Sequence, residues 1–191
     1  MAAEVRMLVD EPRVRRWTKD EYHQAADLGW FAGERVELVH GEVIAMAPQK
    51  DGHAYTVRII TSILNELYGP TFTILTQMPL NLGSNSEPEP DIAVVKGAVR
   101  ELQRHPTNAE LVIEVSDTTL AYDRGKKARL YAEAAISEYW IVNLLDRQIE
   151  VHRRASAGSV SEFAPAEIVR GGSIDLPGVA GKSVGFSQLL P

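Results

Sequence analysis

The sequence predicts an α/β fold, a mixed β-sheet flanked by helices, and three observations carry the prediction. Short runs that alternate apolar with polar residues, or are apolar and rich in β-branched residues, recur along the chain as strands do. Two longer stretches place their apolar residues at helical spacing. One of those stretches lies between the apolar runs AELVIEVSD and EYWIVN, as the crossover of a strand–helix–strand unit.

Taken in order, Thr18-Lys19-Asp20-Glu21 fits a capping box, so a short helix should follow and stop near Gly29. RVELVHGEVIAM reads as a hairpin turning at His40-Gly41. From about His53 to Tyr68, Ile60, Ile63, Leu64 and Leu67 recur at helical spacing, and Gly69-Pro70 ends the helix. TFTILTQMPLNL alternates and is β-rich; after the polar loop GSNSEPEP, the strand DIAVV begins at Asp91. AELVIEVSD is a central strand, DRGKKARLYAEAA a helix, and EYWIVNLLDRQIEVHR a strand, tight turn and strand. The glycine-rich tail, 155–191, suggests edge strands and loops. The layout is thus a helix, a β-meander carrying an inserted helix, a crossover and a closing strand. Nothing repeats, no linker stands out, and 1–191 is read as one domain.

Composition narrows the chemistry. With no cysteine, disulfides, thiolate nucleophiles and sulfur-based zinc sites are excluded. No apolar run approaches the ~20 residues of a membrane span, and charges interrupt the N-terminus where a signal peptide keeps its apolar core. A cytoplasmic protein is expected. The net charge of −6 argues against indiscriminate nucleic-acid binding, yet three basic clusters are present. They are Arg13, Arg15 and Arg16; Arg124, Lys126, Lys127 and Arg129; and Arg147, Arg153 and Arg154. Each alone reads as solvated surface.

Three residues resist a bland reading. The prolines of EPEPDIAVV stiffen an arm that delivers Asp91 to the mouth of a buried strand. Glu114 lies among Leu111, Val112, Ile113 and Val115, in a strand apolar on both sides, where a carboxylate is costly unless paired or metal-bound. Alternation puts Val112, Glu114 and Ser116 on one face. On the following helix, Lys127, Leu130, Tyr131 and Ala134 form one stripe, so Lys127 aims at the sheet while Lys126, Arg129 and Glu133 face solvent. Two carboxylates on neighbouring strands and one lysine suit metal-assisted phosphodiester hydrolysis, with oxygen ligands matching Mg²⁺ or Mn²⁺. The competing reading of each is structural: a solvated strand start, a buried Glu114–Lys127 ion pair, or a lysine that snorkels to water.

PEPDIAVV, ELVIEVSD and YDRGKKARLYAEAAISEYWIVN together resemble the small stand-alone restriction endonuclease family of the PD-(D/E)XK nuclease superfamily. The similarity runs over about residues 17–152, with WTKDEYHQAADLG, RVELVHGEVIAMAP and the helix at His53 resembling the N-terminal half. It implies a restriction-endonuclease-like fold and a Mg²⁺-dependent endonuclease acting on DNA. Asp91 would be the first metal ligand, Glu114 the second acid and the Val115 carbonyl a third ligand, with Glu37 supporting the cluster. The superfamily pattern sets a lysine two residues after the second acid. That place is Ser116 here, and the resemblance implies that the lysine has moved to Lys127 on the next helix. Double-stranded DNA as partner and a homodimer follow by analogy.

Other positions stay open. Glu37 is equally readable as an outward charge on its hairpin. Gln77 either points into the cleft or ends its strand. Asp123 either pairs with Lys127 one turn on or opens the helix. His53, seven residues before Ile60, reads as a core or helix-start histidine. Three functional classes follow: an endonuclease, with Asp91, Glu114 and Lys127 converging in an open cleft; a binding module, with a continuous basic groove; and a structural domain, with Lys127 bonded to Glu114 in a closed interior and Asp91 elsewhere.

Overall fold

The computed structural model describes residues 13–154 and 162–190. Residues 1–12, and 155–161 of the expected tail, lie outside the described residues.

Helix α1 (Lys19–Asp27) starts from the expected capping box, with the Glu21 amide on the Thr18 hydroxyl and the Thr18 amide on the Glu21 carboxylate. Strands β1 (Val36–Val39) and β2 (Glu42–Ala45) pair antiparallel around His40 and Gly41, whose φ values of 51° and 72° are both positive, as a two-residue hairpin turn requires. Gly41 also lies against the incoming chain, since a Cβ there would meet Arg16 Cβ at 2.6 Å. This hairpin is not part of a meander. It forms a separate two-stranded sheet, joined to the polar loop by an isolated bridge between Leu38 and Glu87.

Helix α2 (Asp51–Tyr68) ends at Gly69, at positive φ. Strand β3 (Phe72–Thr76) is shorter than its alternating sequence suggests, because Gln77 takes φ 52° and breaks the pleat. The apolar Leu80 and Leu82 that follow donate their amides to Pro88 and Ser86 carbonyls in the loop rather than to a strand. Next come β4 (Ile92–Lys96) and β5 (Leu111–Ser116). The crossover is a continuous helical segment in three parts: α3 (Leu120–Tyr122), a π-helical turn (Asp123–Lys127) and α4 (Ala128–Glu133). β6 (Glu138–Asn143), β7 (Gln148–Arg153) and β8 (Glu167–Val169) complete the main sheet. The tail adds β9 (Ser173–Asp175), β10 (Ser183–Gly185) and a short α5 (Phe186–Leu189), a helix the sequence pattern did not announce.

The main sheet has the order β3-β4-β5-β6-β7-β8, antiparallel throughout except for the parallel pair β5–β6 that the crossover connects. Alternation splits its apolar side chains between two cores. Ile92, Val94, Leu111, Ile113, Val115, Trp140 and Val142 pack with α2, α5 and the β9–β10 hairpin. Ala93, Val95, Val112, Tyr139 and Ile141 pack with α4, β1 and Leu80. Glu114 has the parity of the second face. At ~25 cal/mol per Å² of apolar surface removed from water, these cores hold the strands rigidly enough to fix the polar groups at the C-terminal end of β5.

Candidate active site

An open pocket of about 390 Å³ lies where β5 gives way to the crossover, the position at which parallel strands of open sheets commonly present ligand-binding groups. Asp91, Glu114, Val115, Glu37, Asp123, Lys127 and His53 line it. Gln77 reaches Asp91 from outside that lining. Glu37, Asp91, Glu114, Asp123 and Lys127 are all buried, none more than 9% exposed.

Asp91 and Glu114 meet at the floor. The Asp91 amide donates to Glu114 Oε2 at 3.2 Å, and the Val115 amide donates to Asp91 Oδ2 at 2.9 Å. The rigid proline arm therefore presents Asp91 to β5 by backbone bonds as well as by its side chain. Glu114 Oε1 accepts the Tyr131 hydroxyl at 2.7 Å and lies 2.9 Å from Lys127 Nζ. Lys127 also donates to Glu37 Oε2 at 2.8 Å, and that oxygen accepts the Glu89 amide at 3.0 Å. Lys127 thus points inward as its stripe predicts and bridges carboxylates from the hairpin and from the main sheet.

Asp123 does not pair with Lys127 in the way one helical turn would suggest. Its carboxylate takes the Thr119 hydroxyl at 2.7 Å. The π turn between the two widens the helix, so residues four apart no longer stack. Gln77, at the end of its strand, donates to Asp91 Oδ1 at 3.2 Å from outside the pocket lining. His53 lies in the first turn of α2, as its helix-start reading has it, and its Nε2 also lies 3.0 Å from Asp91 Oδ2. Its place on the apolar stripe of α2 was visible in the sequence, but what stood opposite was not.

The electrostatics are those of a site with too much negative charge. Burial pushes the Glu114 carboxyl above the ordinary range; Lys127 opposes this, while Asp91, Asp123 and Glu37 add to it. Burial likewise lifts the Asp123 carboxyl. Burial pulls the Lys127 ammonium down, but the charges of Glu114 and Glu37 carry it well above its usual value, so it keeps its proton. One such cation does not balance four buried carboxylates.

Among the described residues, no three histidine, aspartate or glutamate side chains stand grouped as a ready metal site. Two carboxylates with a neighbouring main-chain carbonyl nevertheless match the ligand set of Mg²⁺, which takes few protein ligands and keeps several waters. The surplus charge fits a divalent cation for the same reason.

The basic clusters are largely neutralised. Arg15 pairs with Glu21, Arg16 and Lys126 with Glu42, Arg129 with Glu133, and Arg153 with Glu138 and Glu167. Arg124 forms a two-pronged bond to Glu150 at 2.8 and 2.7 Å. Among the described residues, these pairs tie up most of the clustered basic side chains.

A mixed sheet with one parallel crossover, and two carboxylates meeting at the end of its first parallel strand, defines a restriction-endonuclease-like α/β protein. The chain belongs to the Uma2 family, described as "Putative restriction endonuclease", whose profile matches residues 20–181. Its fold is similar to that of a solved structure described as "a putative nuclease belonging to DUF820" from Anabaena variabilis, with a TM-score of 0.69 at 14% identity. The match covers 90% of this chain and 96% of the other. No curated protein matches the sequence.

Proposed function

We propose that the protein is a metal-dependent endonuclease that hydrolyses DNA phosphodiester bonds at the Asp91–Glu114 pocket. One observation carries this reading: Asp91, Glu114 and Lys127 converge at the floor of an open pocket. Membership of a restriction endonuclease family supports nuclease chemistry in general. Asp91, Glu114 and the Val115 carbonyl would hold Mg²⁺ or Mn²⁺. Such an ion would screen the phosphate's charge and make a coordinated water more acidic.

The chain's own groups do the rest. Hydrogen bonds from Val115, His53 and Gln77 hold Asp91 oriented before any ligand arrives. Lys127, protonated and pinned by Glu37, presents positive charge to the phosphate and stabilises charge that develops there; a group so firmly protonated is not a general base. Apolar Ile44, Ala45 and Met46 line the pocket beside the acids, which lowers the local dielectric and strengthens each of these interactions. A homodimer would place two such sites on the two strands of a duplex.

The structural alternative has one supporting observation, the direct buried contact of Lys127 with Glu114. It also requires Asp91 elsewhere, whereas the Asp91 amide donates to Glu114 Oε2. The test is incubation of the purified chain with plasmid DNA and Mg²⁺ or Mn²⁺. Wild type should nick or cut it, and Asp91→Ala and Glu114→Ala should not. Equal cleavage by wild type and Asp91→Ala would overturn the assignment.

A further inference from the structure

We propose that His53 is a positioning residue that selects which oxygen of Asp91 faces the cation; the inference rests on the metal-site reading above. Asp91 receives donors from three separate elements. Oδ2 takes the Val115 amide from β5 at 2.9 Å and His53 Nε2 from the first turn of α2 at 3.0 Å. Oδ1 has only the Gln77 amide nitrogen, at 3.2 Å. Two short bonds therefore occupy Oδ2 and one longer bond touches Oδ1, leaving Oδ1 the oxygen with capacity to ligate.

Two further features indicate that this arrangement is built for a purpose. His53 Nδ1 is buried with no hydrogen-bond partner, a position in which an apolar side chain would normally serve better. The bond made by the other nitrogen accounts for its retention. Gln77, the second side chain on Asp91, sits at φ 52°, a left-handed conformation uncommon in residues other than glycine. With the Val115 amide they form a clamp that sets the rotation of the Asp91 carboxylate. His53 touches neither a cation nor a phosphate in this arrangement; it acts through Asp91, as outer partners of metal ligands do.

The test compares His53→Leu with His53→Gln in the full chain, with Mn²⁺ binding measured by calorimetry and folding checked by circular dichroism and thermal melting. Leucine removes the donor; glutamine restores an amide N–H at about the reach of Nε2. His53→Leu should weaken Mn²⁺ binding ~10–100-fold, and His53→Gln should recover most of that loss. A merely space-filling histidine would give the reverse order, since leucine packs as well and glutamine less well. Binding by folded His53→Leu as tight as wild type, or binding by folded His53→Gln as weak as by His53→Leu, overturns the proposal. A folded wild type that binds no Mn²⁺ overturns it together with the metal site. Because the readout is binding, the role of His53 is decided even if the chain cuts no DNA, so its failure is distinct from failure of the nuclease reading.

Discussion

Glu114 and Glu150 stand in one row of the main sheet, two strands apart: Glu114 pairs with Ile141, and Ile141 with Glu150. Both are buried on the same face, and both meet a cation from the same π turn. Arg124 serves Glu150 and Lys127 serves Glu114. Their environments nevertheless diverge. Around Glu150, burial raises the carboxyl, but Arg124, Asn143 and Gln148 outweigh it and bring the pKa down to about 2. Around Glu114, burial is reinforced by Asp91, Asp123 and Glu37, and the pKa goes up. The first glutamate has its needs met within the protein. The second has its charged form opposed by burial and by neighbouring carboxylates beside an open pocket, the kind of perturbed carboxyl that collects at functional sites.

Four substitutions break or sharpen this comparison. The largest effect is expected of Lys127→Met, which leaves Glu37 and Glu114 buried without their cation. It should lower stability by ~3–5 kcal/mol in urea titrations at pH 7. Glu150→Gln removes a charge-assisted pair and should cost ~1.5–3 kcal/mol at pH 7, with nuclease activity retained. Its pH signature follows from the depressed pKa. The contribution of Glu150 is complete above its unfolded value of 4.5 and lost as pH falls towards about 2. Melts of wild type and Glu150→Gln should therefore converge across that window.

Glu114→Gln should act in the opposite sense. A raised folded pKa means that the native state holds the proton more tightly, so Glu114 erodes stability as pH rises above 4.5. The variant should lose cleavage and gain on the order of 1 kcal/mol at pH 7, a gain that disappears in melts below pH 4.5. Loss of stability at pH 7 would show Glu114 to be a satisfied residue like Glu150. The smallest effect belongs to the exposed rim pair Lys50–Asp117, at 3.1 Å. Lys50→Ala should change stability by less than ~1 kcal/mol, and a larger change in the same titrations would make that pair part of the buried network.

Local rules made much of this legible. The capping box, the His40-Gly41 turn, the crossover and the cost of Glu114 in an apolar strand each depend on near neighbours in sequence, and each appears where expected. The inward aim of Lys127 was readable for the same reason. What stands opposite a side chain was not. Glu37 meets Lys127 across 90 residues and His53 meets Asp91 across 38, distances over which periodicity carries no signal. Arg124, grouped by composition with its solvated neighbours, proved to be the cation of a buried pair. The separate hairpin sheet escaped notice because alternation identifies a strand's faces but not its partners.

The π turn at Asp123–Lys127 has a consequence for how this protein can vary. A π turn holds one residue more than an α turn, so deleting a residue between Arg124 and Lys127 would let the segment revert to regular α-helix with α4 left in place, but would change the angle between those two side chains by ~100°. Arg124 and Lys127 would then no longer reach their two glutamates together. A substitution in this segment removes the contacts of one cation, whereas a change of length disturbs both cations at once. The spacing of the two cations is therefore as much a part of the site as their charge.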